Sequence, residues 1–247
     1  MRLFSLVAGL GLLAAACGGS SSASPPPDTP PSLLPGGVGL GQVEIDGTTI
    51  DYVVSVPSDF SPGDEAPLLL AFPPGGQDLS LTSSVMEAVY ASEANRLGWV
   101  VISPAAPGGV LFFNGSEDLV PGLLDWTETW VNPEGGAPHV AGISNGGISS
   151  FRYGAENPDR VLSIVTFPGF PRGGDADALE DLSDIPIRFF VGGQDTTWLA
   201  AGEAARDTLL GFGADVSLTS FPGEGHVISS TSDGAIVFGE LERFRRS

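Results

Sequence analysis

Ser144 sits in "GISNGG", with one residue separating it from Gly142 and one from Gly146. A serine hydroxyl is a poor nucleophile until a base removes its proton, so chemistry at Ser144 requires a histidine, and that histidine needs a group to orient it. The chain has only two histidines. His139 opens the apolar stretch leading to Ser144 and is expected at the far end of that strand, about 15 Å away at about 3.3 Å per residue, as a surface residue. His226 lies in "FPGEGHVIS", directly after the strand-like "VSLTSF", and is the expected base. Asp195 follows the buried run "IRFFVGG" and is the expected orienting carboxylate. Asp184 and Asp215 begin strands rather than end them, and Glu224 is too near His226 in sequence to support it from behind. With 35 glycines in the chain, the competing reading is that Ser144 is only a small residue in a Gly-rich loop.

The surroundings of Ser144 favour chemistry. "HVAGI" reads as a strand and "GGISSFRYGAEN" as a helix, so the serine falls on a strand-to-helix turn. Such a turn is tight and demands φ > 0 at its apex, and small residues at Gly142 and Gly146 meet its steric needs. It also places the Asn145 N–H at a helix N-terminus, where it can face a developing oxyanion. A second donor is expected from "AFPPGGQ": Pro73 and Pro74 have no N–H, which leaves Gly75 and then Gly76. Phe112, Phe113, Phe170 and Trp198 fall on segments expected at the same edge, either as a partly aromatic substrate wall or as packing residues. Acyl transfer by this set calls for no metal and no organic cofactor.

The positioning elements follow from the apolar pattern. "QVEIDG" and "TTIDYVVSVP" alternate apolar and polar residues around an Asp-Gly turn, an antiparallel lead-in. "APLLLAFPPGG" and "WVVISP" are continuous apolar runs, as in strands buried on both faces. Between them "SLTSSVMEAVYASEANRLG" has apolar residues at helical spacing, with Ser or Thr available as N-cap. The alternation continues through a short helix "GLLDWTETWV" weakened by Pro121 and Gly122, the strand and helix around Ser144, and strands "RVLSIVTFPG" and "IPIRFFVGG". The helical "LAAGEAARDTLLGFG", the strand "DVSLTSFPG" and a closing helix from about Gly234 to Arg246 complete it. Strand and helix in alternation imply right-handed crossovers and a mostly parallel sheet with helices on both faces. Ligands of such sheets bind at the carboxyl ends of the strands. The connection from Phe167 to Ile187 is only about 20 residues, too short for a large lid.

With "GISNGG", "AENPDRVLSIV", "GGQD" and "GEGH" in place, residues from about 42 to 245 resemble the compact serine esterases of the α/β-hydrolase fold. The likeness is to the poly(3-hydroxybutyrate) depolymerase, feruloyl esterase and acetylxylan esterase group. It implies an α/β-hydrolase fold without a large lid, and the chain order Ser144, Asp195, His226 matches that fold. It also implies hydrolysis of a carboxylic ester through an acyl-enzyme, on a small ester, a polyester or an acylated polysaccharide. Two positions depart from the group: Pro73-Pro74 replaces its usual His-Gly, and "VISSTS" after His226 lacks the Trp-Pro often found there. Two other functions fit the same fold: a surface binding protein on a retired hydrolase scaffold, or a serine peptidase.

Of 247 residues, 42% are hydrophobic, enough for one well-buried domain, expected as a monomer. Thirty acidic against ten basic residues give a net charge of -20, which repels phosphate backbones and anionic membrane surfaces, so nucleic acid is excluded as a partner. The N-terminus differs. Arg2 flanks the apolar "LFSLVAGLGLLAAA", too short for a comfortable membrane span, and Cys17 is the only cysteine. "LLAAAC" is similar to the bacterial lipobox, which implies removal of a signal peptide over residues 1–16, a lipid on Cys17 and attachment to the cell envelope. The alternative is an ordinary signal peptide cut near Ala16. Residues 17–40 are rich in Pro, Ser and Gly and read as an extended tether, leaving 41–247 as the catalytic domain.

Overall fold

The computed structural model describes residues 35–245. The expected signal peptide, Cys17 and most of the tether lie outside the described residues. The chain opens as a hairpin of β1 (Val38–Ile45) and β2 (Thr48–Ser55), joined at Asp46 and Gly47, which take φ of 50° and 76°. Positive φ at both turn positions is the type I′ geometry that Asp-Gly favours. The first strand starts at Val38, ahead of the expected Gly41, because Val38 pairs with Ser55.

After the two-residue strand β3 (Glu65–Ala66), β4 (Leu68–Phe72) and β5 (Val100–Pro104) are adjacent inner strands of the sheet, and every residue of both is buried. Between them run α1 (Leu79–Val85), a π-helical turn at Met86–Tyr90, and α2 (Ala91–Leu97). The sequence predicted one regular helix here. The widened turn faces α6 (Ala235–Phe244) at its entry, where a Cβ on Gly234 would lie 2.0 Å from the Val89 carbonyl oxygen. Asp78, rather than a Ser or Thr, caps this segment by accepting from the Leu81 N–H at 3.0 Å.

The chain continues through α3 (Val120–Glu128), the short β6 (Asn132–Pro133), β7 (His139–Gly142) and α4 (Asn145–Glu156). Pro121 is tolerated because it falls in the first turn of α3, where its missing N–H has no intrahelical acceptor. Then come β8 (Ile164–Thr166), β9 (Ile187–Gly192), α5 (Thr196–Gly211), β10 (Val216–Phe221) and α6. The main sheet has the order β1-β2-β5-β4-β7-β8-β9-β10. From β5 to β10 all neighbours are parallel, and β2 joins β5 antiparallel.

Alternation within the buried strands sorts their side chains onto two faces. Leu68, Leu70, Phe72, Ile102, Val140 and Phe189 pack with α3, α4 and α5. Leu69, Ala71, Val101, Ala141 and Val165 pack with Met86, Tyr90, Val237 and Phe238. The doubly covered parallel sheet expected from the continuous apolar runs is therefore present. Its parallel strands all deliver their carboxyl ends to one edge, where Ser144, Asp195 and His226 stand.

Candidate active site

Ser144 lies between the last residue of β7 and the first turn of α4, at φ 57° and ψ -116°. A non-glycine residue held there costs on the order of 1–3 kcal/mol, so its surroundings must enforce the turn. They do so by close backbone packing. A Cβ on Gly142 would lie 2.1 Å from the Gly146 oxygen, and one on Gly146 would lie 2.1 Å from the Phe72 oxygen. Gly147 is equally confined, with Pro168 O at 2.4 Å and Gly169 Cα at 2.5 Å from a built Cβ. The Ser144 N–H donates to Pro168 O at 2.7 Å, pinning the apex to the loop after β8. Gly142 and Gly146 thus answer the steric demand expected of them, while the need at Gly147 depends on a loop distant in sequence.

The Ser144 hydroxyl is 2.8 Å from His226 Nε2, and His226 Nδ1 is 2.6 Å from Asp195 Oδ2. With Nδ1–H donating to the carboxylate, Nε2 is left to accept the serine proton, the tautomer a base requires. The turns bearing the acid and the histidine are stitched together. Gly193 N–H donates to Phe221 O and Gln194 N–H to Glu224 O, both at 2.8 Å. A Cβ on Gly192 would meet the Gly225 oxygen at 1.9 Å, which explains glycine in "GGQD". Glu224 is engaged elsewhere: Ser230 donates to it from hydroxyl and backbone N–H, and these bonds hold its carboxyl below the usual carboxylate range. Asp215 pairs with Arg188 at 2.8 Å.

The loop after β4 carries Gly75 against the residue that follows Ser144. Asn145 Nδ2 donates to Gly75 O at 2.8 Å, tying the start of α4 to this loop. Sequence reasoning missed Gln77, which organises it. Gln77 is fully buried at φ 54°; its amide nitrogen donates to Ser149 Oγ at 2.9 Å and Pro73 O at 3.2 Å, and its amide oxygen accepts from Phe112 N–H at 3.0 Å. No local pattern announces this role, because its partners lie as far as α4.

Of the four aromatics expected as wall or packing residues, two are joined to the triad by ring contacts. Trp198 packs edge-on against His226 with ring centroids 4.7 Å apart, and Phe170 packs edge-on against Trp198 at 4.8 Å. Phe113 is partly exposed and carries the Arg172 guanidinium 5.9 Å above its ring. Phe112 is a correction: it is 1% exposed and packs on Phe72, beneath the loop rather than along a wall. His139 is the other correction. It is 1% exposed, not a surface residue, because Trp99 covers it at 5.0 Å and Ser163 Oγ lies 2.7 Å from its Nδ1. Its place at the amino end of β7, away from Ser144, is as the chain order implies.

The triad opens to solvent, the His226 side chain being 42% exposed. The far part of the connection after β8 packs away from it: Leu179 and Leu182, on one 3-10 turn, are buried in the core with residues of α4. A cavity of about 430 Å³ bounded by Glu65, Glu134, Glu242 and Arg245 lies at the opposite end of the sheet, and the chemistry of the triad does not extend to it. Arg245 pairs there with Glu134 at 3.0 Å, and Trp99 Nε1 donates to Glu242 at 2.5 Å.

No protein-family model and no curated protein sequence matches the chain. Solved structures do. A thermostable esterase superposes with a TM-score of 0.65 at 17% identity, covering 84% of this chain and 62% of that one. A Bacteroides ovatus protein assigned as dipeptidyl aminopeptidase IV gives 0.63 at 15% identity, covering 84% of this chain and 35% of that one. The chain thus spans less than two thirds of either. An S-formylglutathione hydrolase from Agrobacterium tumefaciens gives 0.61 at 17% identity, with 84% and 94% covered. The fold is that of the α/β-hydrolases. At such identities the likeness concerns architecture, and activity has to be argued from the site.

Proposed function

We propose that the chain is an exported serine esterase that hydrolyses carboxylic esters through an acyl-enzyme. The observation that carries this reading is the continuous relay Ser144 Oγ to His226 to Asp195, at 2.8 and 2.6 Å, on a strained strand-to-helix turn. His226 Nε2 takes the hydroxyl proton as Ser144 Oγ bonds to the ester carbonyl carbon. Asp195 stabilises the imidazolium, and the N–H groups of Asn145 and of Gly75 or Gly76 receive the oxyanion. The proton then passes from His226 to the departing alkoxide, leaving the acyl group on Ser144. Water, deprotonated by His226, releases the acid and restores the serine. The names of the structural neighbours support an ester over a peptide substrate only by analogy. The relay supports an activated serine directly.

A fluorophosphonate probe tests this. The wild-type chain should label once, on the peptide bearing Ser144, and Ser144→Ala should not label. An unlabelled wild type would leave a binding protein on a hydrolase scaffold. Export and lipidation form the second part of the proposal and rest on "LLAAAC". In a bacterial host the N-terminal peptide should carry added lipid mass at Cys17, and Cys17→Ser should leave the membrane fraction or stay unprocessed. Wild-type protein found soluble and without added mass refutes that part.

A further inference from the structure

The chain contains no lysine, so its cationic side chains are all arginines, set among thirty acidic residues. Among the described residues every arginine but one lies within 3.0 Å of a carboxylate oxygen: Arg96, Arg152, Arg160, Arg188, Arg206, Arg243 and Arg245. Arg172 is the exception. It is exposed, forms no ion pair among the described residues, and rests over the face of Phe113.

We infer that Arg172 recognises a carboxylate carried by the ester substrate; the inference rests on the esterase reading above. Its position supports this. Pro168 O accepts from the Ser144 N–H, and Phe170, two residues before Arg172, packs on Trp198 beside His226, which keeps Arg172 within about 7 Å of chain from that aromatic pair. The platform below Arg172 is fixed from the other side, since Phe113 follows Phe112, whose N–H is held by Gln77. Both loops are also anchored to α4 through one residue. Arg152 lies 3.1 Å from Glu117, beyond Phe113, and 2.7 Å from Asp175, beyond Arg172.

A guanidinium lying over an aromatic face keeps its N–H edge available, and that edge matches a carboxylate in two parallel bonds. A neutral ester leaves it unused. Long-range attraction does not account for it either, because the field of a chain of net charge -20 repels anions wherever salt does not screen it. The arrangement suits short-range selection: the substrate class is a half-ester of a dicarboxylic acid, or an acylated hydroxy acid, in place of a fully neutral ester.

The test compares kcat/KM on the full chain for two matched pairs. One varies the acyl side, 4-nitrophenyl hydrogen adipate against 4-nitrophenyl methyl adipate; the other varies the alcohol side, 3-acetoxybenzoate against 3-acetoxybenzamide. Wild type should prefer the carboxylate member of at least one pair by about tenfold, the discrimination of one charge-assisted contact. Arg172→Gln should bring that ratio to one or below, and Arg172→Lys should restore part of it. Preference for the neutral member in both pairs, or a ratio unchanged in Arg172→Gln, overturns the inference. So does an equal loss on both members, which would make Arg172 only a prop for Phe113. If no ester is turned over, the esterase reading fails separately. The inference is then read by calorimetric titration of Ser144→Ala, where monomethyl adipate should bind about tenfold tighter than dimethyl adipate only while Arg172 is present, and equal binding overturns it.

Discussion

At the scale of single residues, the two histidines make the clearest contrast. His226 is half-exposed and bonded to both Ser144 and Asp195, while His139 is buried under Trp99. Ser144→Ala and His226→Ala should each lower ester turnover by about three orders of magnitude or more with unchanged urea midpoints, and Asp195→Asn somewhat less. His139→Ala should do the reverse. Losing a buried ring and its hydrogen bond costs about 1–3 kcal/mol of stability, visible as a lower urea midpoint, with kcat/KM of the folded protein retained. Ser144, Asp195 and His226 were legible in the sequence because their demands are local: glycines around a tight turn, an acid after a buried strand, a histidine after the next. Gln77 and the burial of His139 were not. Each depends on what a distant segment places against it, Ser149 and Phe112 in one case, Trp99 in the other.

At the scale of elements, the strands were the most legible, because an uninterrupted run such as "LLLAF" has no polar face to offer solvent. The π-helical turn was illegible; its Val89 carbonyl is closely approached by Gly234, a residue distant in sequence. The helix after Ser144 does more than present that residue. Through Arg152 it ties down the loops that carry Phe113 and Arg172, and burial holds the Asp175 carboxyl above the usual range against the opposing pull of Arg152. An acid whose folded pKa is raised binds protons more readily folded than unfolded. Its contribution is greatest below its unfolded pKa and is lost as pH rises through the folded one. The unfolding free energy of wild type minus that of Asp175→Asn should therefore fall as pH is raised from about 3.5 to 7. Reversible urea titrations across that range check the sign, and a difference that grows with pH would contradict it.

At the scale of the whole molecule, the doubly covered sheet puts the triad on an open edge, and the far part of the short connection after β8 packs down into the core. If the proposed esterase activity holds, this openness limits the use of a long acyl chain. Each buried CH₂ contributes about 0.8 kcal/mol, so a deep tunnel would raise kcat/KM steadily with chain length, whereas an open groove stops contributing once the chain passes its end. The open edge here is bordered by Phe170 and Trp198, of which Trp198 packs directly on His226. Across acetyl, butyryl, octanoyl and palmitoyl esters of one leaving group, kcat/KM should rise over the first few carbons and then level off. The aromatic border should favour methyl ferulate over methyl acetate by a modest factor. Trp198→Ala removes the ring that packs edge-on against both His226 and Phe170, so it should reduce the aromatic preference more than the rate on acetyl esters. A rate still climbing through palmitoyl would require a buried acyl tunnel, and the open edge of this sheet would then be the wrong description of the substrate path.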